Sequence, residues 1–333
     1  VKSTEEIHAG REVTSEIVAS TMASLSTLLS KNPVIELEGP TVALPVAKPT
    51  APAVGTATAT GKTSGFFRPN GEEYLPRSIM VGSEKTTDVA LVQAAHAASL
   101  PVLFYGAPGT GKTALIEAAL PGTITVQGSI ETEVADFVGG FVQNDDATFS
   151  WVDGPAVVAA EANDGEGVPL FIDEIALIDP RVLSVVYGMM DGRGELTIPQ
   201  NPKRGNVKVG PKFVVMGACN PNVPGAVMSE ALLSRFPIQV ELTTDWSLAS
   251  RLGVPTKIIQ VARNLNTKAQ SGEVTSAPQL RELLTFKKLA AQFGEQFALN
   301  NFLGQIRPEN REIASSLIES VYGSDAKPTP LTF

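Results

Sequence analysis

Between residues 100 and 242, short apolar runs recur between Gly, Pro, Asp and Asn. Pro101–Tyr105, Thr123–Gln127, Pro169–Ile172, Phe213–Cys219 and Pro237–Leu242 each have the length and bounding residues of a strand. The segments around them carry helical spacing instead: 87–99 before the first run, then 114–120, 131–137, 155–163 and 180–190. Strands alternating with helices predict a parallel sheet covered on both faces. From Trp246 the strand pattern stops. Helical spacing at 254–270, 278–293, 295–303 and 308–322 predicts a separate all-helical unit. Upstream, residues 3–30 have an amphipathic pattern opened by a capping box, Ser3-x-x-Glu6. Such a helix either packs on its own domain or reaches another chain. Residues 39–63, dense in Ala, Pro, Thr and Gly, predict an extended linker. The expected division is therefore 1–38 (amphipathic helix), 39–63 (linker), 64–243 (sheet domain) and 244–333 (helical domain).

One stretch brings chemistry to this pattern. Gly106-Ala107-Pro108-Gly109-Thr110-Gly111-Lys112-Thr113 is a complete G-x-x-x-x-G-K-[ST] loop, set between the first core strand and a helix. In that setting the glycines allow a tight path and the backbone N–H groups and helix N-terminus point at a phosphate. Lys112 is then expected to reach the β- and γ-phosphates, with the Thr113 hydroxyl a ligand of Mg²⁺. ATP or ADP with Mg²⁺ is the expected cofactor set. The third strand run ends in Asp173-Glu174. An acidic residue leaving an apolar strand beside such a loop can hold the Mg²⁺ sphere, and its neighbour Glu174 can polarise the attacking water.

Composition narrows the remaining choices. The 333 residues hold 26 Lys and Arg against 35 Asp and Glu, a net charge of −9. That balance disfavours sequence-independent nucleic-acid binding by the chain as a whole. A single cysteine, Cys219, excludes an internal disulfide framework and a cysteine zinc site. With only His8 and His96, histidine metal clusters are not expected either. No stretch has the pattern of a signal peptide or a run of about 20 apolar residues, so a cytoplasmic setting without membrane contact is expected.

From about residue 76 to 330 the chain resembles an AAA+ ATPase of the MoxR/CbbQ/NorQ, dynein-related branch. The resemblance is carried by Gly106–Thr113, Asp136–Phe141, Phe149–Pro155, Phe171–Pro180, Gly194–Pro199, Gly217–Pro221 and Leu232–Phe236. It implies an α/β fold: an AAA+ P-loop αβα core with a five-stranded parallel sheet, followed by a small all-α lid. It also implies residue roles. Asn220 would be the sensor-1 residue at the γ-phosphate or water, and Arg235, in Ser-Arg-Phe, the finger offered to a neighbouring subunit's ATP. The sensor-2 arginine falls on Arg281 if the alignment follows Arg-Glu-Leu, whereas alignment on Pro278 puts Gln279 there. Adenine would sit near Ile79–Gly82, with Val81 and Gly82 in its pocket. Residues 139–154 and 194–213 would be two insertions facing the pore or the substrate. The second carries Lys203, Arg204, Lys208 and Lys212 without an acidic residue from Pro199 to Lys212. That stretch is either a solvated basic tip or a contact for an acidic partner or nucleic acid.

The function this implies is ATP hydrolysis in a homo-oligomeric ring, a hexamer in the family, driving remodelling or activation of a client protein. The client in this branch can carry a von Willebrand-type domain, which would have to lie on a separate chain. Two other classes stay open: a nucleic-acid translocase using the basic hairpin, and an ATP-gated structural component with little turnover.

Overall fold

The computed structural model describes residues 65–81, 83–191 and 194–331. The amphipathic segment 3–30, the linker 39–63 and Gly82 lie outside the described residues. The chain enters through a hairpin, β1 (Ser78–Val81) and β2 (Glu84–Thr87), and continues into α1 (Asp88–Ala97) and β3 (Val102–Tyr105). Next come α2 (Lys112–Ala119), β4 (Ile124–Gln127), a single turn α3 (Ala135–Val138) and a second hairpin, β5 (Gly139–Gln143) with β6 (Phe149–Asp153). Then follow α4 (Pro155–Gly165), β7 (Leu170–Asp173), a 3₁₀ turn (Ile175–Leu177) and α5 (Pro180–Met190). A third hairpin, β8 (Glu195–Thr197) with β9 (Asn206–Lys208), precedes β10 (Val215–Cys219), α6 (Glu230–Arg235) and β11 (Ile238–Glu241). The remainder is helical: α7 (Trp246–Arg251), α8 (Thr256–Gln270), α9 (Leu280–Phe293), α10 (Glu295–Gln305) and α11 (Arg311–Tyr322).

The fold is α/β: a parallel five-stranded sheet flanked by helices, followed by a helical lid. The strand order is β11-β3-β10-β7-β4. Side chains alternate across each strand, so the sheet feeds two cores. Leu103, Leu170, Ile172, Val215 and Cys219 face one, with Phe137, Val157 and Val186 packed over them. Val102, Phe104, Phe171, Met216 and Ala218 face the other, under Val89, Val92, Leu115 and Ile116 of α1 and α2. The lid has its own core, in which Ile258, Leu283, Phe286, Leu299, Phe302 and Ile318 close on one another.

One local expectation needs correction, and two elements were not expected. The helix expected over 131–137 is only the turn α3, because side chains take over the backbone groups before it. The Ser129 N–H donates to Thr132 Oγ1 and the Glu133 N–H to Asp136 Oδ2, which stabilises turns at the expense of helix. The polar segment Glu84–Thr87 is a strand, and Thr87 is the N-cap of α1, its hydroxyl accepting from the Ala90 N–H. Trp246–Arg251, which the sequence pattern did not assign, is a helix capped by Asp245, whose carboxylate accepts from the N–H groups of Ser247 and Leu248.

Candidate nucleotide site

The sheet topology assembles the site. In open parallel sheets, ligands sit beyond the carboxyl ends of the strands. Here β10 lies between β3 and β7. The phosphate-type loop leaves β3, Asp173 and Glu174 leave β7, and Asn220 leaves β10 between them. The Gly106 N–H donates to the Cys219 carbonyl at 3.2 Å, which ties the start of the loop to β10. Gly106 has φ 142°, and a Cβ on it would lie 2.3 Å from the Leu242 carbonyl oxygen, so only glycine fits.

Within the loop, Thr110 is fully buried and its hydroxyl donates to the Ala107 carbonyl at 3.0 Å. Pro108, without an N–H, and Gly109 complete the tip of the loop. Lys112 is buried, and its ammonium donates to the carbonyls of Gly106 (2.9 Å) and Ala107 (3.0 Å). Burial holds its pKa below the usual lysine value, while the charges of Glu174 and Asp173 act against that shift. The Thr113 hydroxyl donates to Asp173 Oδ2 at 2.7 Å. This contact joins the two halves of the expected metal site: two hard oxygen donors, one neutral and one anionic, on rigid elements. Mg²⁺ is usually held by one or two such protein ligands, with water and substrate phosphates filling the rest. Thr113 and Asp173 fit that requirement.

Glu174 has a left-handed backbone, φ 52° and ψ 37°, at the start of the 3₁₀ turn. The Asp173 carbonyl accepts from the Gly128 N–H at 2.7 Å, and the Glu174 N–H donates to Asp173 Oδ1 at 3.0 Å. The pair is therefore fixed from both sides. Asn220 is buried, and its Oδ1 accepts from the Asn222 N–H at 3.1 Å. Cys219 is fully buried, with its thiol 3.5 Å from the Met228 sulfur, and burial pushes its pKa up to about 11.

The lid reaches the loop through α9. The Arg281 N–H donates to the Gly109 carbonyl at 3.2 Å, and the Arg281 charge is felt at Lys112. Gln279 is occupied differently. It is the N-cap of α9 in a reciprocal capping box with Glu282, and its side chain also engages Thr244 and the Ala277 carbonyl.

Arg235 is not brought to this cluster. Its guanidinium lies 4.4 Å from the centroid of the Tyr187 ring, donates to the Ala231 carbonyl at 3.1 Å, and approaches Asp191 at 3.3 Å. Val81 is buried at the end of β1. The cavity beside the loop is instead lined by Ser78 and Ile79 of the same strand, with Leu242 and Thr243 opposite. The same cavity is lined by Arg77, a buried arginine to which the sequence pattern gave no role.

The two insertions are antiparallel hairpins. On β5–β6, Phe141, Val142, Phe149 and Val152 are each more than half exposed, with Phe141 edge-on to Trp151 at 5.2 Å. The basic hairpin is partly neutralised within the chain. Arg204 forks to Asp153 at 2.9 Å and pairs with Glu161, and Lys212 pairs with Glu166 at 3.3 Å. Lys203 and Lys208 are exposed. Among the described residues, no helix is long and apolar enough to cross a membrane.

Comparison with known proteins agrees with this geometry. The family model for the AAA domain (dynein-related subfamily) matches residues 101–236. An uncharacterised protein of Staphylococcus epidermidis strain RP62A is 30% identical over 211 residues, covering 57% of this chain and 77% of that protein. A second uncharacterised protein, from Staphylococcus haemolyticus, is 29% identical over 209 residues, covering 56% of this chain and 77% of its own. A solved chain from Cytophaga hutchinsonii shares 14% identity at a TM-score of 0.37, over 68% of this chain and 78% of that one, a likeness too loose to carry an argument. The complete phosphate loop, the acidic pair on the adjoining strand, the matched domain and the relatives together place this chain in the AAA+ ATPase family, with the dynein-related AAA domain.

Proposed function

We propose that the protein is a MoxR-like AAA+ ATPase that hydrolyses Mg-ATP in a homo-oligomeric ring and uses the cycle to remodel or activate a partner protein. The observation that carries the reading is the 2.7 Å contact between Thr113 and Asp173, with the strained Glu174 adjoining it. When bound, Mg²⁺ would neutralise charge on the phosphates. Thr113 and Asp173 would hold it, and Lys112 would exchange its two carbonyl partners for the β- and γ-phosphates. Glu174 accepts a proton from the attacking water, while Asn220 orients that water or the γ-phosphate. Arg281, on the lid, links phosphate state to lid position.

Arg235 acts on the ATP of a neighbouring subunit. Support comes from its engagement with Tyr187 and Asp191, on elements other than its own phosphate loop. The exposed aromatic β5–β6 hairpin is the surface that best suits an apolar client segment. A von Willebrand-type client on a separate chain, hexameric stoichiometry and a cytoplasmic setting belong to the same reading. The nucleic-acid alternative loses ground because Arg204 and Lys212 are already paired within the chain.

The test is steady-state ATP hydrolysis as a function of protein concentration. Wild-type activity per subunit is expected to rise with assembly and to be lost in Glu174→Gln and in Arg235→Ala. Activity that is independent of concentration and indifferent to Arg235 would contradict the ring.

A further inference from the structure

Arg77 precedes β1 and is buried, with a relative exposure of 6%. A guanidinium there must find partners, because an unpaired buried charge is expensive. Only part of it does. One terminal nitrogen donates to the Thr110 carbonyl inside the phosphate loop. That nitrogen lies 2.9 Å from the position a Cβ on Gly111 would occupy, so the guanidinium rests directly on the residue preceding α2. Its Nε and its other terminal nitrogen, Nη1, are buried and have no hydrogen-bond partner.

The nearby carboxylates do not fill these positions. Asp88 accepts from the Tyr74 hydroxyl and from the N–H groups of Arg77 itself and Val89. Asp245 feels the Arg77 charge, but its hydrogen bonds come from Ser247 and Leu248. The Asp88 bonds anchor the Arg77 backbone and leave its guanidinium aimed elsewhere.

Two further features define what is missing. A cavity of about 210 Å³ opens beside Arg77; Ile79, Leu91, Phe104, Leu115 and Leu242 give it apolar walls suited to a flat heterocycle, and Ser78, Thr243, Asp88, Glu241 and Asp245 line the rest. Arg77 also touches the loop, at Thr110 and Gly111, where the N-terminus of α2 has no side-chain cap. A nucleotide with its base in the cavity and its terminal phosphates at the loop would bring its sugar and first phosphate to Arg77, which touches both.

We propose that Arg77 is a nucleotide-binding residue whose Nε and Nη1 donate to the α-phosphate of a nucleoside di- or triphosphate. The proposal rests on the Mg-ATP reading of the loop and adds the group that reads the phosphate nearest the sugar. Since ADP and ATP share that phosphate, Arg77 contributes equally to both and does not distinguish them.

The experiment titrates Mg-ADP and a slowly hydrolysed Mg-ATP analogue into wild type, Arg77→Gln, Arg77→Lys and Lys112→Ala. It also records the melting temperature of each protein with and without ADP. Arg77→Gln is expected to weaken both nucleotides by about tenfold or more, leaving their affinity ratio at the wild-type value. Its ligand-free melting temperature is expected to stay level or rise, because an uncompensated buried charge has gone, while the ADP-induced increase shrinks. Wild-type ADP affinity in Arg77→Gln, or a loss confined to the ATP analogue, would overturn the proposal. So would a large fall in ligand-free melting temperature with the ADP-induced increase intact. If Arg77→Gln does not fold, Arg77→Lys decides: loss of the planar fork is expected to weaken ADP, and unchanged affinity overturns the proposal. Failure of the underlying reading looks different, since wild type and Lys112→Ala would then bind ADP equally poorly.

Discussion

Glu174, the proposed base, has a backbone conformation that L residues avoid, φ 52°, between Asp173, the proposed Mg²⁺ ligand, and a 3₁₀ turn. Such strain costs about 1–3 kcal/mol and persists where the surroundings over-determine it. Glu174→Gln keeps the shape and removes the base. Turnover is expected to fall about 10²–10⁴-fold while ADP affinity stays within about twofold, measured by steady-state hydrolysis and by nucleotide titration. Glu174→Gly relieves the left-handed strain instead, and should raise unfolding free energy by about 1 kcal/mol in denaturant melts while abolishing turnover. Strain offset by function at one residue would produce that opposition, whereas a plain strand-ending turn would leave turnover intact in both variants.

Under the proposed reading, the elements around the site divide labour between holding and sensing. Gln279 caps α9 through its box with Glu282, and Arg281 meets the loop two residues further on, within the same first turn. Gln279→Ala is therefore expected to cost about 1 kcal/mol, a fall of a few degrees in melting temperature, with turnover retained. Arg281→Ala should leave melting unchanged and reduce turnover. The hairpin anchor is pH-sensitive: the Arg204 hydrogen bonds hold the Asp153 carboxyl below the usual aspartate range. A depressed folded-state pKa stabilises above the unfolded value, and that stabilisation is lost as pH falls through the folded one. Asp153→Asn should thus be about 1 kcal/mol less stable than wild type at pH 7, a figure already discounted for partial exposure. In chemical denaturation series that gap should begin to close below about pH 4.

What the sequence disclosed at this scale follows from where its signals are local. The loop motif and the strands ending in Asp173 and Cys219 could be read because strand length, glycine spacing and apolar runs are short-range properties. Arg77 was hidden, since nothing in Leu75-Pro76-Arg77-Ser78 records that its guanidinium lies against Gly111. Its one available trace was a charge immediately before an apolar strand. The pairing of Arg204 with Asp153 and Glu161 was hidden for the same reason, being a contact between distant segments.

At the scale of the molecule, Lys112, Glu174 and Asn220 gather beyond the carboxyl ends of the strands and Arg281 reaches the loop from the lid, whereas Arg235 lies apart from them. Arg235 carries the right charge but is engaged with Tyr187 and Asp191. A site completed by the neighbouring subunit accounts for both facts, and arginine fingers supplied in this way raise turnover by about 10³–10⁵-fold. The most direct measurement is hydrolysis by an equimolar mixture of Glu174→Gln and Arg235→Ala proteins, each inactive alone. In a mixed ring, an intact Glu174 on one subunit meets an intact Arg235 on the next. The account predicts that activity reappears on mixing and rises with total protein concentration. A mixture as inactive as its two components, at concentrations where wild type assembles and turns over, would contradict it.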